Sequence, residues 1–112
     1  MSTFGTNTSY GSFTTLYDDE NNSAVIRQTI SIGQAVNQVT IMVNRIEHVI
    51  VTEGKVRVTI SLGTLTEGKS FDLNCGQYIF VPRNYTMSLA NIGDTHASIV
   101  RVRQYAQKED KK

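Results

Sequence analysis

With 11 basic and 10 acidic side chains in 112 residues, the chain has room for one buried core and carries a net charge of only +1. That balance provides no basic field to hold nucleic acid through its phosphates, and no apolar run approaches the roughly 20 residues of a membrane helix. Neither a nucleic-acid nor a membrane partner is therefore expected. Cys75 is the only cysteine, which excludes an internal disulfide, and the start of the chain lacks the basic and apolar stretches of a signal peptide. The expected setting is cytoplasmic.

Residues 1–9, rich in Ser, Thr, Asn and Gly, read as a flexible arm. Residues 12–17 and 24–32 are strand candidates, divided by the polar loop Asp18-Asp19-Glu20-Asn21-Asn22. In the next candidate, 38–52, Met42, Ile46 and Ile50 align at alternate positions as an apolar second face, while Arg45 and Glu47 share the other. Glu53-Gly54 then turns the chain into 55–60, where Val56, Val58 and Ile60 face inward and Lys55, Arg57 and Thr59 face water. Gly63 and Glu67-Gly68 mark a hairpin before 70–73. Cys75 is expected as a small packing residue. Strands at 78–81 and 86–90 flank the corner Pro82-Arg83-Asn84, where Asn tolerates a positive φ. After the turn Asn91-Ile92-Gly93-Asp94, the alternation over 98–104 sets Val100 and Val102 on one face, in the inward sense of 55–60, and Arg101 and Arg103 on the other. Residues 107–112 are a charged, solvated tail. Many short strands without helix signal or internal repeat predict an all-β sandwich or barrel.

The run from Gly76 to Asn91 resembles the second signature of the cupin superfamily: Gly, five residues, Pro, one, Gly, two, His, three, Asn. Gly76, Pro82 and Asn91 fall in place, while Asn84 replaces the glycine and Met87 the metal-binding histidine. In the first signature, Glu47 stands six residues before Gly54, and the two histidine positions carry Ile41 and Val43. Further runs resemble the C-terminal domain of type II phosphomannose isomerases, fused to mannose-1-phosphate guanylyltransferases. They are Tyr10-Gly11-Ser12-Phe13, Gly33-Gln34-Ala35, Arg45-Ile46-Glu47-His48, Tyr78-Ile79-Phe80-Val81-Pro82 and Asn91-Ile92-Gly93-Asp94. The resemblance implies a cupin-type double-stranded β-helix, a jelly-roll barrel, over residues 10–106.

It also implies a degenerate metal site. Ile and Val offer no lone pair, a thioether is a soft ligand, and one carboxylate does not anchor a divalent ion. No metal, no cofactor and no catalytic residue are expected. On a regular strand His48 points away from Glu47, and His96 lies in a surface turn. A buried Glu47 needs a partner, and Arg45 is the evident one. The expected function is a non-catalytic, metal-free module binding a small ligand in the barrel, such as a sugar or sugar phosphate. Arg45, Glu47, Tyr78, Phe80, Asn84 and Met87 are its candidate residues, with Tyr78 and Phe80 lining the interior. Arg27, Arg101 and Arg103 are candidates for an anion. The alternative is a structural or assembly jelly roll, and an isomerase-like enzyme is a third reading. A homo-oligomer is expected in either of the first two, since cupins commonly pair through their sheets.

Overall fold

The computed structural model describes residues 4–7, 11–19, 22–38, 45–62 and 68–105. They form ten strands in two antiparallel sheets, with no helix among the described residues. In chain order the strands are β1 (Phe4–Asn7), β2 (Gly11–Asp19), β3 (Ser23–Ile30), β4 (Ala35–Gln38), β5 (Arg45–Glu53), β6 (Lys55–Leu62), β7 (Lys69–Asn74), β8 (Tyr78–Val81), β9 (Tyr85–Asn91) and β10 (Ala97–Tyr105). One sheet has six strands in the order β1-β2-β3-β10-β5-β8, the other four in the order β4-β9-β6-β7. The chain is thus an all-β jelly roll, as the strand pattern implied.

The two sheets bury a common core. Val49 and Val51 of β5, Val56 and Val58 of β6, Val81 of β8 and Ile99 of β10 are all fully buried. Strand alternation sends these side chains inward, and β-branched residues suit the pleated surface. Val56 and Val58 are buried as expected, with Ile60 packed against the same cluster. Met87 and Leu89 of β9, which share a strand face, also fill the interior.

The turns carry out the chemistry their residues allow. Gly54 has φ +83°, the left-handed conformation that joins β5 to β6. Asn84 is the one described non-glycine residue with positive φ, at 74°, where the resembling signature has glycine. Asn91 is buried and holds the last turn together. Its side-chain amide donates to the carbonyls of Ile30 and Thr95 at 2.9 Å each, and its Oδ1 accepts from the Gly93 amide.

Four expectations are corrected. Part of the arm expected over 1–9 forms β1, which pairs with β2 of its own sheet. Cys75 is exposed rather than packed, with its thiol donating to the Thr52 carbonyl. The sense of alternation on β10 is inverted: Ile99 and Arg101 face the interior, and Val100 and Val102 the outside. Tyr78 and Phe80 do not line the barrel. They lie on the outer face, 64% and 43% exposed, while Ile79 and Val81 turn inward. Among the described residues, no helix is long and apolar enough to cross a membrane.

Candidate functional site

β5 and β10 lie side by side, with Glu47 opposite Arg103 and Tyr105 opposite Arg45. On each strand the residues two apart point the same way, so Arg45 and Glu47 meet Arg101 and Arg103 on the inner face. Glu47 is wholly buried. Its Oε1 accepts from Arg101 Nε at 2.8 Å, and its Oε2 from Arg101 Nη2 at 3.0 Å, a bidentate pair. Oε2 also accepts from Arg103 Nε at 2.9 Å and Arg45 Nε at 3.0 Å. Across β10, Gln28 of β3 accepts from Arg101 Nη1 at 3.0 Å, and both side chains are buried.

The electrostatics follow from the geometry. Burial alone would raise the Glu47 pKa, but Arg101, Arg103 and Arg45 together outweigh it and hold the carboxyl below its ordinary value. Arg45 is pushed the other way. Burial and then the positive charge of Arg103, with Arg101 adding to it, lower its pKa against the pull of Glu47. A carboxylate held ionised, with both oxygens engaged, is poorly placed to take a proton as a general base.

The cupin fold implies a divalent metal at this acid, and the residues present do not fit one. Both Glu47 oxygens already accept from guanidinium groups, and three fixed cations surround the place where a further cation would go. Arg101 supplies the main counter-charge to Glu47. Met87 is packed among core side chains. Ile41 and Val43, the remaining positions of the degenerate metal set, lie outside the described residues, as do Tyr10 and Met42. Among the described residues no three His, Cys, Asp or Glu side chains come together.

Of the candidate ligand-binding residues, the structure brings Arg45 and Glu47 together and separates the rest. Tyr78 and Phe80 face outward, and Met87 is core. Asn84 is exposed on the turn that leaves β8 after Val81, the residue opposite Glu47. Arg27 faces outward and does not join Arg101 and Arg103. The sequence reading missed Gln28 and the burial of Arg101. The available signal was the equal spacing of Arg45/Glu47 and Arg101/Arg103, two short polar pairs of opposite or like charge on strands that could be neighbours.

The reverse side of the same sheet is different in character. One row across it runs Tyr17, Val25, Val102, His48, Phe80, and the next runs Thr14, Arg27, Val100, Ile50, Tyr78. His48 stacks obliquely on Phe80, with ring centroids 5.1 Å apart. No described element covers these rows. A separate open groove of about 660 Å³ passes Phe71, Asp72, Gln77 and Tyr78, and no residue of the Glu47 cluster lines it.

Fold and site together define a small jelly-roll barrel whose buried acid is closed by arginines. The chain belongs to the cupin family: the family model described as Cupin matches residues 6–110. Solved structures agree on the fold. The Schizosaccharomyces pombe Cnp3 cupin domain matches with TM-score 0.74 and 19% identity, over 84% of this chain and 64% of that one. Drosophila melanogaster CENP-C bound to CAL1 matches with TM-score 0.77 and 14% identity, over 90% and 76%. The Staphylococcus aureus capsular polysaccharide assembling protein CapF matches with TM-score 0.80 and 16% identity, over 97% of this chain but 33% of that one. The chain thus spans just under two thirds of the Cnp3 structure and about a third of CapF. No curated protein matches it.

Proposed function

We propose that the chain is a non-catalytic cupin that serves as an assembly module, pairing with a second copy through the outer face of its six-stranded sheet. The apolar rows on that face carry the reading. Val25, Val102, Ile50 and Val100 are flanked by the exposed rings of Tyr78 and Phe80, and Arg27 is the one permanently charged side chain in the two rows. A nearly uncharged face needs a nearly uncharged partner, and a copy of itself about a two-fold axis supplies one. The molecule measures 54 × 39 × 25 Å, so its broad side has room for the roughly 800 Å² per partner of a stable interface. The CENP-C neighbour, seen bound to another protein, supports cupins as partner-binding modules. The exposed free thiol of Cys75 suits a cytoplasmic setting.

The test is the mass in solution. Light scattering at micromolar concentration is expected to give a dimer, and Ile50→Glu a folded monomer with an unchanged circular dichroism spectrum. A wild-type chain that stays monomeric at every concentration would overturn the proposal.

A second reading, a small ligand bound inside the sheet, draws its support from the arginine cluster. The local runs that resemble the phosphomannose isomerase domain favour a sugar phosphate as its class. Isomerase chemistry fits less well, because a Lewis acid at Glu47 would have to displace three guanidiniums.

A further inference from the structure

We propose that Arg45 and Arg103 form a site for a phosphoryl dianion, as inorganic phosphate or as the phosphate of a small monoester, on the inner face of the six-stranded sheet beside Glu47. The inference deepens the small-ligand reading and is independent of pairing.

The first argument is charge. Among the described residues, Arg45, Arg101 and Arg103 share one acid, Glu47, with the neutral Gln28 beside Arg101. Among these described side chains the surplus is two positive charges, in a setting largely withdrawn from water. On β3, the inner-face neighbours of this part of β10 are Ala24 and Ile26, which carry no charge. The next acid by register is Asp18 of β2, opposite Ala24 and so two strands from Arg103, on the order of 10 Å at ordinary strand spacing. Asp18 is exposed and makes no ion pair with Arg103 among the described residues. The lowered pKa of Arg45 comes first from burial and then from the like charge of Arg103.

The second argument is hydrogen bonding. A guanidinium has five N–H donors. Arg45 and Arg103 each direct Nε to the same oxygen, Glu47 Oε2. Among the described residues, their terminal nitrogens make no hydrogen bond. Arg101 is different: both ends of its fork are taken, and it is 3% exposed. It fixes the acid, and the acid fixes the other two. Arg45 and Arg103 keep 16% and 19% of their side-chain surface open to solvent. Two forks anchored on one oxygen, with four donors each beyond it, are suited to the several oxygens of a tetrahedral anion.

The third argument concerns the rest of the face and the protein's net charge. Tyr78 and Phe80 are on the opposite face, and the ring that shares the face of the site by register is Tyr105, opposite Arg45. An isolated surplus of two charges on a nearly neutral protein does not make a nucleic-acid track. A phosphoryl dianion matches the surplus of charge and the donors that Arg45 and Arg103 have beyond Glu47.

Isothermal titration calorimetry on the full chain tests the site with inorganic phosphate, glycerol phosphate and acetate. Saturable binding of both phosphates is expected, at least tenfold tighter than acetate, and weakening as pH falls from 7.5 to 5 and the phosphate loses its second charge. Equal affinity for the two phosphates assigns recognition to the phosphoryl group, and tighter glycerol phosphate adds a contact to the ester; either supports the site. Arg103→Gln and Arg45→Gln should each weaken phosphate at least tenfold, and Arg27→Gln on the outer face should not. If a Gln variant fails to fold, Arg45→Lys keeps the charge, loses the fork and should still weaken binding. No heat with millimolar phosphate, equal binding of acetate, or affinity unchanged by these variants would overturn the proposal. Light scattering on the same samples separates the outcomes: a dimer that ignores phosphate removes this site and leaves the pairing intact.

Discussion

Glu47 is the residue on which the inner face depends. Removing one partner from a buried ion pair typically costs about 3–5 kcal/mol, because the remaining charge stays desolvated. Glu47→Gln, which leaves three guanidiniums facing each other, should therefore lower the urea midpoint strongly. The pH dependence has a definite sign. The folded carboxyl titrates below its ordinary value of 4.5, so the unfolded chain binds this proton more readily. The stabilisation is complete above that value and is lost as pH falls through it towards the folded pKa. Urea titrations from pH 7 to 3 should show the loss in the wild type and a flatter profile in Glu47→Gln; parallel profiles would remove Glu47 as its source. Asn84 offers a second measurement. With φ at 74°, Asn84→Gly should be nearly neutral, whereas Asn84→Val should cost about 1–2 kcal/mol in the same assay.

At the level of elements, β5 and β6 are tied by Gly54. A Cβ there would lie 2.9 Å from the His96 carbonyl oxygen and 3.0 Å from Ala97 Cα, at a φ of +83°. Backbone blocks both relief and rotation, so Gly54→Ala should cost roughly 1–3 kcal/mol, seen as a lower thermal midpoint. This turn was legible in the sequence because glycine between two alternating runs has few other uses. β6 was legible for a similar reason: Val56, Val58 and Ile60 alternate with charged or hydroxyl side chains, so burial has one sensible direction. β10 shows the limit. Val100, Arg101, Val102 and Arg103 alternate as cleanly, yet the arginines are the inward set at this end of the strand. Hydropathy gives the period of a strand but not which face is covered, and a buried acid on the neighbouring strand reverses the choice. The same gap hid the outward aim of Tyr78 and Phe80, since β8 has only four residues and all are apolar or aromatic. Glu47 itself was legible from its signature, together with its need for a cationic partner. The identity of the main partner, Arg101, was not, because the two are 54 positions apart and meet only through sheet order.

For the whole molecule, the two broad sides of the six-stranded sheet have opposite characters. The inner side holds the core and the ion cluster, and the outer side is apolar with aromatic margins. If the outer side is where copies meet, stability should depend on protein concentration. The thermal midpoint should rise from low to high micromolar wild type and stay constant for Ile50→Glu. A constant midpoint for both would place the stability within each single chain.

β10 has a place in both characters, which constrains how its length can change. Because side chains alternate with a period of two, a one-residue slip exchanges the faces of the whole strand. A single deletion or insertion between Ser98 and Gln104 would carry the guanidiniums out to the exterior, strand the acid of β5 among valines, and seed the flank with charge. Length variation among kin of this chain should therefore accumulate in its turns and spare this ribbon, however freely its individual side chains are exchanged.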